Sequence, residues 1–224
     1  MVYSNGPSIV RDGLVLHLDA ADRNSYPRSG TTWYDLSGNN NHFTLVSSVF
    51  DNTNKGSLSY GNNIRIYKTN GIWSSDNNNT VMSFFYGNFW FAETTSAAGN
   101  TKNGILSSYA SAARDQYPPG GVGSRLDLSF SYNSGNKILA HRIASDRAAT
   151  WFYNGFFSSG GTSETYDGIT PEITEIGNRT IGENSNYYGG SFAGKLGAFL
   201  CYNTALTDDQ ILQNYNALKG RFGL

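Results

Sequence analysis

Residues 151–157 read Trp151-Phe152-Tyr153-Asn154-Gly155-Phe156-Phe157. Asn-Gly between two aromatic runs is a hairpin signal, because a two-residue type I′ turn needs positive φ at both central positions and these residues tolerate it. The hairpin commits this part of the chain to antiparallel β structure. Just upstream, Leu126, Leu128, Phe130 and Tyr132 alternate with Asp127, Ser129 and Ser131, the period-2 mark of a one-sided strand. Ser134-Gly135-Asn136 turns that strand into Lys137-Ile138-Leu139-Ala140-His141.

Further upstream, Leu14, Leu16 and Leu18 alternate within Gly13-Leu14-Val15-Leu16-His17-Leu18-Asp19, which predicts a half-buried strand with His17 on the face opposite the leucines. Residues 19–41 are long, polar and turn-rich, yet Trp33, Tyr34 and Leu36 sit among them, so this loop is expected to pack down. Short strands are expected at 43–49, 58–60 and 64–67, and Val81 to Phe91 reads as one apolar central strand. Downstream, residues 173–176, 187–188 and 192–202 complete the set. One helix is expected, at the C-terminal end. Thr207 and Gln210 have the spacing of a capping box, and Leu206 with Ile211 that of a hydrophobic staple. Asp208 and Asp209 suit the positive end of the helix dipole. Ile211, Leu212, Tyr215 and Leu218 form the apolar face, and Gly220 is the expected stop.

Strands along the whole length with a single helix mean antiparallel sheets and exclude a βαβ fold. No linker or fixed-period repeat divides the chain. Its organisation is an N-terminal arm, residues 1–12, and one domain, residues 13–224. The apolar residues of segment 2–10 precede the first clear strand. They make it the expected contact arm, removable without unfolding the domain.

Composition agrees with this reading. Only 15% of the 224 residues are charged and 38% are hydrophobic, the remainder being rich in turn-formers and in Tyr and Thr. Aromatics at 14% supply core bulk. A net charge of −1 argues against nucleic acid and anionic membranes as partners. One cysteine, Cys201 in an apolar context, excludes an intrachain disulfide and is expected to fill core volume. The first residues carry no basic segment followed by an apolar run, so no signal peptide is expected, and no apolar stretch reaches membrane-spanning length.

Two stretches carry a family resemblance. The first is Gly13-Leu14-Val15-Leu16-His17-Leu18-Asp19-Ala20-Ala21 with Ser25-Tyr26-Pro27 and Gly30-Thr31-Thr32-Trp33-Tyr34-Asp35-Leu36-Ser37-Gly38-Asn39-Asn40-Asn41-His42. The second runs from Ile176-Gly177-Asn178-Arg179 through Tyr187 to Thr207, then Ile211, Asn214-Tyr215 and Leu218 to Phe222. Together they resemble the ends of concanavalin A-like, laminin G-like domains of the type found in virion structural proteins of tailed bacteriophages. The middle departs from that pattern, with Ala140-His141-Arg142-Ile143 where a Trp-His-His strand is usual. The resemblance implies an all-β, antiparallel two-sheet jelly-roll sandwich with one short C-terminal helix. It also implies a virion protein made in the host cytoplasm, whose partners are other virion proteins or further copies of itself. A glycan is the alternative partner, with the chain as a carbohydrate-binding adhesin on a virion or cell surface.

No enzyme is expected. Glycosidases on this sandwich use Glu-x-Asp-x-x-Glu to set two carboxylates about the scissile bond, and Glu93, Glu164, Glu172, Glu175 and Glu183 never take that spacing. His17, His42, His141 and Cys201 make no triad or zinc set. Sandwiches of this kind often hold a rim calcium on Asp, Asn and carbonyl oxygens, and Asp19 with Asp22, and Asp35 with Asn39 and Asn41, are the candidate ligands. Against calcium, Asp35-Leu36-Ser37-Gly38 has the form of an Asx turn that binds its own backbone. Trp73, Tyr117, Tyr187 and Tyr188 lie in polar surroundings and are the candidate sugar-stacking residues; the competing reading is that they plug the ends of the sandwich.

Overall fold

In the computed structural model the residues described are 7–52, 55–60, 64–72, 78–87, 89–93, 104–109, 112–116, 127–129, 136–144, 148–162, 173–176 and 194–224. Asn154 and Gly155 have φ of 49° and 83°, as the hairpin requires. The strands are β1 (Leu14–Asp19), β2 (Thr32–Trp33), β3 (Phe43–Val46), β4 (Phe50–Asp51), β5 (Ser57–Tyr60), β6 (Arg65–Ile72), β7 (Asn79–Gly87) and β8 (Phe89–Glu93). They continue as β9 (Gly104–Tyr109), β10 (Ala112–Gln116), β11 (Asp127–Ser129), β12 (Asn136–Ile143), β13 (Ala148–Tyr153), β14 (Phe156–Thr162), β15 (Ile173–Ile176) and β16 (Gly194–Tyr202). The helix is α1 (Asp208–Phe222).

Among the described residues these strands form two antiparallel sheets, each of eight strands. The inner sheet runs β14-β13-β12-β7-β16-β5-β4, with β1 also on β16, and the outer sheet runs β11-β10-β9-β8-β15-β6-β3-β2. A register irregularity between Leu196 and Ala198 lets β16 pair with β5 over Gly194–Leu196 and with β1 beyond it. The expected central strand 81–91 is in fact two strands. Residues 79–87 lie centrally in the inner sheet, and 89–93 belong to the outer one. Continuous apolar character hid the crossing, because it does not report which sheet a strand joins.

Side chains of alternate parity pack in two layers. Leu16, Leu18, Trp33, Phe43, Leu45, Leu58, Ile66, Val81, Phe85, Trp151 and Phe199 fill the space between the sheets, together with Cys201, whose thiol is pushed up by burial. One transverse row of this layer runs Leu16, Cys201, Val81, His141, Trp151 across five strands. On the other face of the inner sheet, Leu14, Met82, Phe84, Ile138, Ala140, Phe152, Leu200 and Tyr202 pack beneath α1. β1, β7 and β16 are therefore buried on both faces, where a half-buried β1 was expected.

The helix begins as its sequence predicts. Gln210 N–H donates to Thr207 Oγ1 at 3.2 Å, and Thr207 N–H donates to Gln210 Oε1 at 2.8 Å. It ends later than expected. Gly220 is helical, and Gly223, at φ 67°, is the left-handed cap. The extra length brings Phe222 over the inner sheet, 5.5 Å from the Phe84 ring. A Cβ on Gly197 would stand 2.5 Å from Phe222, so only glycine admits that ring.

Residues of the expected N-terminal arm are docked on the domain itself. Ile9 and Val10 are buried in the helix-side core. Val10 N–H donates to Asn214 Oδ1 at 2.8 Å, its carbonyl accepts from Tyr202 Oη at 3.1 Å, and Gln213 Nε2 donates to Ser8 O at 2.7 Å. Burying two aliphatic side chains contributes roughly 3 kcal/mol or more. A variant lacking residues 2–10 is therefore expected to melt about 6–12 °C below the full chain in a calorimetric scan. An unchanged melting temperature would show that this segment contributes nothing to the core.

Candidate functional site

Asp35 lies two residues after β2, buried, and its carboxylate organises the polar loop. Oδ1 accepts from His17 N–H (2.9 Å) and Ser37 N–H (2.8 Å); Oδ2 accepts from Ser37 Oγ (2.7 Å) and Asn41 N–H (3.0 Å). Asn41 Nδ2 donates to Val15 O at 2.9 Å and Asn39 Nδ2 to Leu14 O at 3.2 Å, stitching the loop to β1. The structure thus brings Asp35, Asn39 and Asn41 together, but with the carboxylate facing four donors. A cation at this turn would compete with those donors for the same two oxygens.

Asp19 and Asp22 have separate roles. Asp19 accepts from Ala21 N–H at 2.9 Å, and Arg221 Nη1 lies 2.5 Å from both of its oxygens, tying the last turn of α1 to the end of β1. Asp22 Oδ1 accepts from Asn24 N–H at 2.8 Å. Among the described residues no group of three or more His, Cys, Asp or Glu is placed to hold a metal ion. Trp73, Tyr117, Tyr187 and Tyr188 lie outside the described residues.

Two groups escaped the sequence reading. The first is the inward face of the inner sheet along β7, β12 and β13, where Asn79, Ser83, Lys137 and His141 are buried in an otherwise apolar layer. The His141 ring lies 4.5 Å from that of Trp151, and burial pushes the Lys137 ammonium's pKa down. Alternation of Lys137, Leu139 and His141 was visible in the sequence, but nothing local said which face was inward.

The second is the Tyr34–His42 pair at the β2–β3 edge. Tyr34 is 41% exposed, and its ring meets that of His42 edge-on, centroids 5.2 Å apart and planes at 72°. His42 Nδ1 accepts from Asp35 N–H at 3.0 Å. Tyr34 N–H donates to Ser25 O at 2.7 Å, and Ser25 Oγ donates to Tyr34 O at 2.6 Å.

With the geometry in place, comparison with known proteins bears on the fold. No protein-family model and no curated protein sequence matches the chain. Solved structures do. The binding domain of Paraclostridial Mosquitocidal Protein 1 is 15% identical, with TM-score 0.62, covering 92% of this chain and 52% of that one. A botulinum neurotoxin type C structure, described as dependent on two ganglioside molecules for cell entry, is 10% identical, with TM-score 0.63, covering 93% and 52%. Trypanosoma rangeli sialidase in complex with sialic acid is 13% identical, with TM-score 0.59, covering 93% and 33%. The chain therefore spans about half the length of the two toxin structures and a third of the sialidase. It shares a lectin-like, jelly-roll β-sandwich with them. At these identities the likeness is one of fold, and no enzyme activity is indicated.

No helix among the described residues is long and apolar enough to cross a membrane.

Replacing Asp35 with Ala leaves the amides of His17, Ser37 and Asn41 without their acceptor. At about 1–3 kcal/mol for a buried group so stranded, Asp35→Ala is expected to cost roughly 2–4 kcal/mol in urea unfolding. A loss below about 0.5 kcal/mol would mean the loop does not depend on this carboxylate.

His17 adds a pH dependence. Its ring is buried, and neither nitrogen has a hydrogen-bond partner among the described residues. Burial, aided by Arg11 and opposed by Asp19, Asp35 and Asp22, lowers its pKa below the ordinary 6.5. The unfolded chain then binds more protons than the folded one below that value, so stability is lost as pH falls through it. Melting temperature is expected to drop between about pH 7.5 and about pH 5, and to drop less in His17→Leu. Equal slopes for the two proteins would exclude His17 as the source.

Proposed function

We propose that this chain is a non-catalytic carbohydrate-binding module. The observation that carries the reading is how the two buried carboxylates among the described residues are used. Asp35 is saturated by four donors and Asp19 is paired with Arg221. Glycoside hydrolysis needs two carboxylates free to exchange protons or attack the sugar. These two instead make a rigid rim, which is what a binding surface requires. The ligand class follows from the company this fold keeps, since similar structures are described with gangliosides and with sialic acid. Calcium at Asp19, Asp22, Asp35, Asn39 and Asn41 is the less supported part, because binding would first have to break the hydrogen bonds of Asp35 and the ion pair of Asp19.

The test is binding of the purified chain to an array of immobilised glycans, with and without chelator. The same glycans are then incubated with the protein in solution and weighed by mass spectrometry. Binding that survives chelation, with glycan masses unchanged, is expected. Hydrolysis of a bound glycan would overturn the non-catalytic reading, and binding abolished by chelation would restore calcium.

A second reading, a structural module of a tailed-phage particle, is supported by the resemblance of residues 13–42 and 176–222 to virion proteins. Mass spectrometry of purified particles decides it. A fixed copy number relative to the major capsid protein is expected if the chain is built into the virion.

A further inference from the structure

We propose that the outward face of the β2–β3 edge is a sugar-binding subsite. The Tyr34 ring is its stacking platform, and His42 Nε2–H with the Thr32 and Thr44 hydroxyls form its hydrogen-bonding rim. This rests on the carbohydrate-binding reading above and names a site for it.

The direction these side chains face follows from the pleat. Thr32 pairs with Thr44 and Trp33 with Phe43. Trp33, Phe43 and Leu45 are buried between the sheets, so Thr32, Tyr34, His42 and Thr44 face away from that core. Their burial agrees, with Tyr34 and Thr44 exposed and Thr32 and His42 half-buried.

Exposure of a single aromatic is ordinary; immobilisation is what distinguishes Tyr34. Both its peptide groups are tied to Ser25, its neighbours Trp33 and Asp35 are buried, and its ring is braced by His42. Tyrosine has only two side-chain torsions, and here the backbone beneath them is already fixed. Little ordering cost is therefore left for a ligand to meet.

His42 is oriented by the same loop. Because Nδ1 accepts from Asp35 N–H, the neutral ring carries its proton on Nε2. That atom has no hydrogen-bond partner among the described residues and is not among the buried polar atoms. An apolar ring beside one fixed donor and two hydroxyls, each able to donate or accept, complements a pyranose. The sugar offers a face of C–H groups to the ring and hydroxyls at its edge to the rim. The surface is open, so each contact is weak, and dense display of the sugar is needed to see it.

The experiment compares the wild-type chain with Tyr34→Ala, Tyr34→Phe, His42→Asn and Thr44→Val. The probes are dense arrays of glycans ending in galactose, glucose, N-acetylglucosamine or sialic acid. His42→Asn keeps an acceptor close to the Nδ1 position and removes the Nε2 donor; Thr44→Val removes a hydroxyl and keeps the shape. Tyr34→Ala is expected to weaken binding by about tenfold or more, Tyr34→Phe to retain it, and the other two to weaken it several-fold. Melting temperatures of all four should lie within about 2 °C of wild type. If Tyr34→Ala melts lower, His42→Asn and Thr44→Val decide the matter. Glycan binding at wild-type strength in Tyr34→Ala, or in both rim variants, overturns the subsite and leaves the carbohydrate reading standing. Failure of the wild-type chain to bind any of the glycans overturns both.

Discussion

The centre of the inner sheet, β1, β7 and β16, is buried on both faces, and one asparagine joins the segments that cover it. Asn214 lies on α1 and is fully buried. Its Oδ1 takes the N–H of Val10, and its Nδ2 donates to Tyr202 Oη at 3.1 Å, while that hydroxyl donates to Val10 O. Three elements far apart in sequence thus close their polar groups on one another inside an apolar layer. A buried peptide or phenol without such partners costs about 1–3 kcal/mol apiece. With the network complete, the helix and the N-terminal segment are both joined to β16 through Tyr202. Burial pushes the Tyr202 phenol's pKa well up, against the opposing effect of the Asn214 hydrogen bond.

A similar economy of polar groups shapes the opposite rim. Asp35 and Asp19 are buried acids, and each is surrounded by donors from its own chain. The loop from 19 to 42 is consequently an extension of the rigid scaffold, although it has little regular structure. Tyr34 and His42 owe their fixed positions to this stiffness. A binding role therefore draws on the same hydrogen bonds that hold the fold.

How much of this was legible depends on the range of the interaction. The Asn154-Gly155 turn and the Thr207–Gln210 capping box were readable because each is settled within four residues. The Asx character of Asp35 was readable too, but its bonds to His17 and Asn41 were not. Gly220 looked like a helix stop, yet the helix continues to place Phe222 against Gly197 and Phe84, residues the local pattern does not mention. The apolar run at 81–91 hid a crossing between sheets, since apolar content reports burial and says nothing about which sheet a strand enters. His17 was correctly set apart from Leu16 and Leu18, although Leu14, beyond the register irregularity in β1, packs in the helix-side core. A polar residue opposite an apolar face reads as solvent-facing until tertiary packing buries it.

The class of sandwich was implied by the family resemblance; the sequence by itself determined the antiparallel strands, the hairpin and the start of the helix. These follow from backbone torsions and the period of side-chain direction, which each segment carries alone. Only the tertiary structure decided what covers each face. It buried His17 and Asn214, turned Asp19 toward Arg221, docked Ile9 and Val10, and left Tyr34 half in solvent beside His42. Alternation states which residues share a face of a strand. What lies against that face is set by packing between segments up to two hundred residues apart, and no local pattern contains it.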